Sequence, residues 1–130
     1  MPYVTDTHCL VWYMTDDPKL SPIARNIFQE VDNGHEQIFI PCIVLFELLY
    51  IIERKRIPAN LDMFIELAAV SENYKVEPLC LPIIEKAGKI PRAKIADPWD
   101  RLIAATSLHL DFPLITHDES LRQVGLKIAW

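Results

Sequence analysis

The 130-residue chain is predicted to be an α/β domain, a parallel sheet of about five strands with helices on both faces. Three observations predict it. Short β-prone runs alternate with helical segments from one end of the chain to the other. One helix, Pro98 to Leu110, is apolar on nearly every face (Leu102, Ile103, Ala104, Ala105, Leu108), which suits a buried helix and not a surface one. The composition, 51% apolar and 24% charged, is that of an ordinary globular chain of a length that suits one domain spanning residues 1–130.

The elements follow in order. Tyr3-Val4-Thr5 is a β-prone run ending at Asp6, and Thr7 to Met14 is apolar enough for a short helix, broken by Asp16-Asp17-Pro18. Ser21-Pro22, a capping serine before proline, opens a second helix with Ile23, Ile27, Phe28 and Val31 on one stripe, and Asn33-Gly34 stops it. Gln37 to Ile40 reads as a buried strand closed by Pro41. The dense apolar helix Cys42 to Ile52 follows and contains a single acid, Glu47. Arg54-Lys55-Arg56 sits at its end, where cations suit the helix dipole, before Pro58 breaks the segment. Leu61, Phe64, Ile65, Leu67 and Ala68 mark another helix, Lys75 to Pro78 a short strand, Leu81 to Lys89 a helix and Gly88 to Lys94 a basic connection. In the organising stretch, Asp97 suits the N-cap, Pro98 the first helical position, where its missing N–H is no loss, and Asp100 the third. Phe112 to Thr116 is a strand, Asp118 to Val124 a short helix and Lys127-Ile128-Ala129 a last strand.

Bulk properties narrow the function classes. No apolar run is long enough to span a bilayer, and the N-terminal residues lack the pattern of a signal peptide, so a cytoplasmic protein is expected. Cys9, Cys42 and Cys80 are widely spaced with no Cys-x-x-Cys pair, which argues against a disulfide framework or a zinc site. The formal net charge of −5 speaks against nucleic acid, but the charge is uneven. Lys86, Lys89, Arg92, Lys94 and Arg101 face only Asp97 and Asp100 within Lys86–Arg101, and Arg54-Lys55-Arg56 is a second basic cluster. Either is also compatible with plain solvated surface.

In open parallel sheets, sites form outside the carboxyl ends of the strands. Asp6 ends the first strand, Asp118 lies just past the strand Phe112–Thr116, Asp100 is in the first turn of its helix and Glu47 is in the second turn of the helix after Gln37–Ile40. Four carboxylates from separate parts of the chain thus belong near one sheet edge. Most also have a structural use: Asp6, Asp97 and Asp118 as helix caps, Asp100 as the acid of a capping arrangement. Glu47 has the weakest such use, because its helical neighbours Ile43, Val44, Leu48 and Ile51 are apolar and no Lys or Arg lies within one turn. Clustered carboxylates repel one another unless a hard divalent cation sits among them. Mg²⁺ or Mn²⁺ with one or two carboxylates, waters and phosphate oxygens fits phosphodiester hydrolysis.

The motifs Asp6-Thr7-His8-Cys9-Leu10-Val11-Trp12, Asp16-Asp17-Pro18-Lys19-Leu20-Ser21, Leu45-Phe46-Glu47-Leu48, Asp97-Pro98-Trp99-Asp100-Arg101-Leu102-Ile103-Ala104-Ala105 and Leu114-Ile115-Thr116-His117-Asp118 resemble those of PIN-domain ribonucleases. The likeness is to the VapC-type toxins of toxin–antitoxin modules in particular. Each motif alone is weak; in order and at family-like spacing they cover essentially the whole chain. The resemblance implies a doubly wound, PIN-like fold and a metal-dependent endoribonuclease using one or two Mg²⁺ or Mn²⁺ ions. It carries the family's acids onto Asp6, Glu47, Asp100 and Asp118, and the family's Ser/Thr before the last acid onto Thr116. Asp97 and Arg101 belong to this subgroup's form of the third motif, and Arg101 with some of the lysines would hold RNA phosphates. A cognate antitoxin protein and a homodimer are further implications.

Two rival readings stand beside it. An aspartate-based phosphoryl-transfer enzyme would use Asp6 as nucleophile, but its Asp-x-Asp is absent because residue 8 is His. A non-catalytic interaction module would use Leu10–Met14 and Ile43–Ile52 as partner surfaces and the acids as caps. No Cys or Ser partner for a histidine is recognisable, and no Gly-rich phosphate loop is present among three glycines. His8 and His117 flank the acids, where a metal role is an alternative. Trp12, Tyr13, Tyr50 and Trp99 suit core packing, base stacking or a dimer interface.

Overall fold

The computed structural model describes residues 1–54 and 57–130. The elements are β1 (Pro2–Thr5), α1 (Thr7–Met14), α2 (Pro22–Asp32), β2 (Gln37–Pro41), α3 (Cys42–Glu53), α4 (Leu61–Val70), β3 (Tyr74–Glu77), α5 (Leu81–Gly88), α6 (Pro98–Leu110), β4 (Leu114–Ile115) and β5 (Ile128–Ala129). A 3₁₀ helix, Glu119–Val124, joins the last two strands. Of the basic triplet at the end of α3, Arg54 is exposed, while Lys55 and Arg56 lie outside the described residues.

The five strands form one sheet in the order β3-β2-β1-β4-β5, parallel throughout. The chain winds outward from β1 through β2 to β3, crosses back by α5 and α6, and continues on the other side of β1 with β4 and β5. The winding therefore reverses between β1 and β4, the place where an open parallel sheet leaves a crevice. The two strands are stitched at their ends: the Val4 N–H donates to the Pro113 carbonyl (2.9 Å) and the Asp6 N–H to the Ile115 carbonyl (3.2 Å).

Consecutive residues of a strand point to opposite faces, so burial of neighbours reports cover on both. Val4 and Thr5 in β1 and Leu114 and Ile115 in β4 are all fully buried. The core joins these residues to Ile38 and Ile40 of β2, Phe28 and Val31 of α2, Val44 of α3, Ile83 of α5 and Ile103–Ala105 of α6. A smaller cluster of Leu48, Ile57 and Phe64 binds α4 to α3.

The helix starts behave as their residues dictate. Ser21 accepts the Ala24 N–H ahead of Pro22, and Asp97 accepts the N–H groups of Trp99 and Asp100 (2.9 and 3.0 Å) ahead of Pro98. At the other end of α6 the chain leaves through Asp111 in the left-handed region (φ 56°), one of the few residue types that tolerate it. Two strands are shorter than the sequence predicts. β4 covers only Leu114–Ile115 of Phe112–Thr116: Pro113 has no N–H to give, and Thr116 is drawn into a turn by accepting the Asp118 N–H. The last strand starts at Ile128 instead of Lys127.

Candidate functional site

A cleft of about 290 Å³ opens at the carboxyl ends of β1 and β4. Asp6, Asp100, Thr116 and Asp118 line it, with His8, Trp12 and His117 also on its wall and the apolar Ile103, Leu114 and Leu121 behind them. Asp6 is the residue after β1. Thr116 and Asp118 follow β4, and α6 delivers Asp100 from its first turn.

The carboxylates are held in a common way. Asp6 accepts the Cys9 N–H through Oδ1 (2.8 Å), so it caps α1. Asp118 accepts the Ser120 N–H, also through Oδ1 (3.0 Å), together with the Ser120 hydroxyl. Glu47, half-buried on α3, accepts the hydroxyl of Thr7 through Oε1 (2.6 Å). Asp6 and Asp118 are thus anchored by backbone N–H groups and Glu47 by a hydroxyl, and the Cys9 thiol also bonds to Asp6. Asp100 has no protein donor on either oxygen among the described residues, so it is not the acid of a capping box. Asp97 alone caps α6. Crowding of protein around the Asp100 carboxyl raises its pKa to about 6, and the negative charges of Asp97, Glu47 and Asp6 push in the same direction against a lowering by His8. The residue as a whole remains exposed at the mouth of the cleft, but desolvation of its carboxyl is the first cause of the shift, and the surrounding negative charge adds to it.

Asp6, Asp100, Asp118 and Thr116 therefore share one cleft. Glu47 does not line it but lies close enough to act on Asp100 and is coupled to the cleft through Thr7, the neighbour of Asp6. Arg101 is not placed to hold a phosphate in this cleft. Its Nε and Nη2 donate to the carbonyls of Ala87 and Ile90 (2.9 and 2.8 Å), satisfying the C-terminal end of α5 from α6. The other cations also point elsewhere: Lys86, Lys89 and Lys94 line a second cleft with Leu108 and Gln123, and Arg92 lines a third beside Arg101. Thr7 is the residue that sequence reasoning missed. Its signal was available, since an acid among apolar neighbours needs a donor, but nothing local says the donor sits forty positions earlier.

The PIN-domain family profile matches residues 3–127. The chain belongs to the PIN-domain family. It is 26% identical over 117 residues to Ribonuclease VapC22 of Mycobacterium tuberculosis, an alignment covering 90% of this chain and 87% of the relative. Three solved structures share its fold, each alignment covering 98% of this chain and 96% of the other. They are VapBC2 from Rickettsia felis bound to a promoter DNA fragment (TM-score 0.67, 18% identity), VapBC-1 from nontypeable Haemophilus influenzae (0.65, 24%) and FitAcB from Neisseria gonorrhoeae (0.67, 14%). In this PIN domain the sheet order and the doubly wound path agree with the fold class read from the sequence.

The donor set of the cleft suits a hard divalent cation. It offers the carboxylate oxygens of Asp6, Asp100 and Asp118 and the hydroxyl of Thr116, with His8 and His117 beside them. Among the described residues no three Asp, Glu, His or Cys side chains stand close enough to hold an ion by themselves. A cation held by these residues would keep part of its water, as Mg²⁺ does when it binds through one or two carboxylates.

Proposed function

We propose that this PIN domain is a metal-dependent endoribonuclease, the toxin of a toxin–antitoxin pair, cleaving RNA phosphodiester bonds in the cytoplasm. The observation that carries the reading is the meeting of Asp6, Asp100 and Asp118 in one cleft at the β1/β4 crevice, where burial of the Asp100 carboxyl, with neighbouring acids adding to it, raises its pKa. The name of the Mycobacterium tuberculosis relative supports a ribonuclease, and the VapBC neighbours support an antitoxin partner. A homodimer belongs to the same reading.

Asp6, Asp100 and Asp118, with Glu47 directly or through water, would hold one or two Mg²⁺ or Mn²⁺ ions. Such an ion, when bound, supplies a Lewis acid for the phosphodiester and a water acidic enough to attack at neutral pH. The chain's own contribution is positional. The Cys9 N–H and the Ser120 donors stop Asp6 and Asp118 from rotating, and Thr7 does the same for Glu47. Thr116 accepts the Asp118 N–H (3.2 Å) and so holds the loop that carries that acid. Asp97 orients the first turn of α6 and with it Asp100.

The test is a labelled single-stranded RNA of mixed sequence incubated with the protein and Mg²⁺, Mn²⁺ or EDTA, with Asp6→Asn and Asp100→Asn alongside. Cleavage that needs metal and disappears in both variants is the expected result. Cleavage surviving in Asp100→Asn overturns the site. Absence both of cleavage and of a Mn²⁺-induced thermal shift favours an interaction module in which the acids are caps.

A further inference from the structure

Besides its carboxylates, the acid cleft is lined by the rings of His8, Trp12 and His117, and the mechanism above does not use them. Trp12 lies one turn along α1 from His8, so the two side chains share a face, with ring centroids 5.9 Å apart. His117 and Trp130 complete the group, at 6.1 and 6.2 Å from Trp12. No ring in this group lies parallel to the indole: the interplanar angles are 46°, 75° and 59°. Each neighbour meets Trp12 at a tilt, and none lies flat on it as a stacked partner would. The next residue shows the alternative. Tyr13 lies flat on Phe28, centroids 4.6 Å apart and planes 13° apart, and its hydroxyl is bound to Asp32. Tyr13 is used up in packing. Trp12 is half-buried, with part of its surface on the cleft that Asp6 and Asp100 also line.

We infer that Trp12 is a nucleobase-binding residue of this cleft, stacking on one of the two bases that flank the bond to be cut. The inference rests on the ribonuclease reading and adds to it where the base sits. In a single strand the base next to a phosphate is free to turn out, and an aromatic face is what receives it. The cleft, at about 290 Å³, lies at the small end of the range for ligand sites, suited to one nucleotide with its waters. Its apolar backing of Ile103, Leu114 and Leu121 suits the flat base, and its carboxylates suit the cation that accompanies the phosphate. A stacked face recognises any base, so Trp12 contributes affinity and register more than sequence choice.

The experiment takes a single-stranded RNA that the wild-type protein cuts, with each flanking nucleotide replaced in turn by an abasic one. Cleavage is measured with wild type, Trp12→Phe and Trp12→Leu. One abasic substrate is expected to raise the wild-type KM by roughly tenfold or more, the range set by one lost stack, with kcat within about threefold. Trp12→Leu shows the same rise on intact RNA and less than about a twofold further change on that abasic substrate; Trp12→Phe falls between. Trp12→Met replaces the leucine variant if the latter does not fold by circular dichroism. Wild-type cleavage indifferent to both abasic substitutions overturns the inference, as does a Trp12→Leu variant still sensitive to them. A wild-type protein that cuts no RNA and shows no Mn²⁺-induced thermal shift removes the ribonuclease reading and this inference with it. A protein that cuts RNA but ignores the abasic sites removes the inference alone.

Discussion

Two charged regions meet α6, and they are built in opposite ways. At the N-terminal end of the helix, Asp6, Asp100 and Asp118 arrive from three distant segments and share one cleft. Along the stretch from Lys86 to Arg101 the cations are neighbours in sequence, yet they disperse. Lys86, Lys89 and Lys94 line one cleft near the other end of the helix, Arg92 another, and Arg101 is taken by two backbone carbonyls. Leu108, in the lysine cleft, is about 12 Å along the helix from Asp100. Each arrangement suits its helix end, acids at the positive pole and lysines toward the negative one. The difference is in compensation. The lysines open to solvent, whereas at the acid end protein crowds the Asp100 carboxyl and nearby acids add to the effect, so that it resists ionisation. A charge cluster made by topology is costly and marks a site; one made by adjacency in the chain is free to spread out.

The comparison breaks most visibly at the acids. Asp6→Asn, Asp100→Asn and Asp118→Asn each are expected to lower metal-dependent RNA cleavage by roughly a hundredfold or more while leaving the fold intact. Single-turnover cleavage with circular dichroism on the same samples checks it, and a variant retaining near wild-type cleavage takes that acid out of the site. Arg101 should give the reverse. Removing its two charge-assisted hydrogen bonds by Arg101→Ala is expected to destabilise the protein by about 2–3 kcal/mol in urea melts. At a temperature where the variant is folded, its kcat stays within about twofold of wild type. A large kcat loss in a stable protein would restore Arg101 to the chemistry.

That contrast also shows what was legible in the sequence. The alternation of strands and helices, the caps Ser21 and Asp97 with their prolines, and the acids at strand ends are local signals, and each appears where those signals put it. Asp6 and Asp118 follow from counting past a strand, because a parallel sheet sends all its carboxyl ends to one edge. Arg101 was not legible. It stands beside Asp100 in the chain, but successive helical residues point about 100° apart, so the acid faces the cleft and the guanidinium faces α5. The partner of Glu47 was equally hidden, since an α1 hydroxyl meets an α3 carboxylate only after both helices have packed on the sheet. Thr7→Val tests that contact. It keeps the shape, removes the donor and leaves Glu47 free to turn. A five- to tenfold loss of cleavage and a destabilisation of about 1 kcal/mol are expected, and Thr7→Ser should recover most of both. Full activity in Thr7→Val would leave Glu47 without need of an anchor.

The smallest effect lies in the metal-free protein, and its sign is the informative part. Asp100 holds its proton up to about pH 6 when folded, whereas an unfolded chain releases it near 3.8. Between those values the folded state binds more protons, so stability falls as pH rises from about 4 to 6 and the deficit persists above that. Asp100→Asn removes the charge and is expected to stabilise the EDTA-treated protein at pH 7. The gain is under about 1 kcal/mol, because the residue is exposed and solvent screens the repulsion. At pH 4 the variant and wild type should melt together. Mg²⁺ or Mn²⁺ relieves the same repulsion in the wild type and has less to relieve in the variant, so added metal narrows or reverses the gap. If Asp100→Asn instead lowered the melting temperature at pH 7 without metal, the acids would be an ordinary capping network, and the contrast between the two ends of α6 would lose its physical basis.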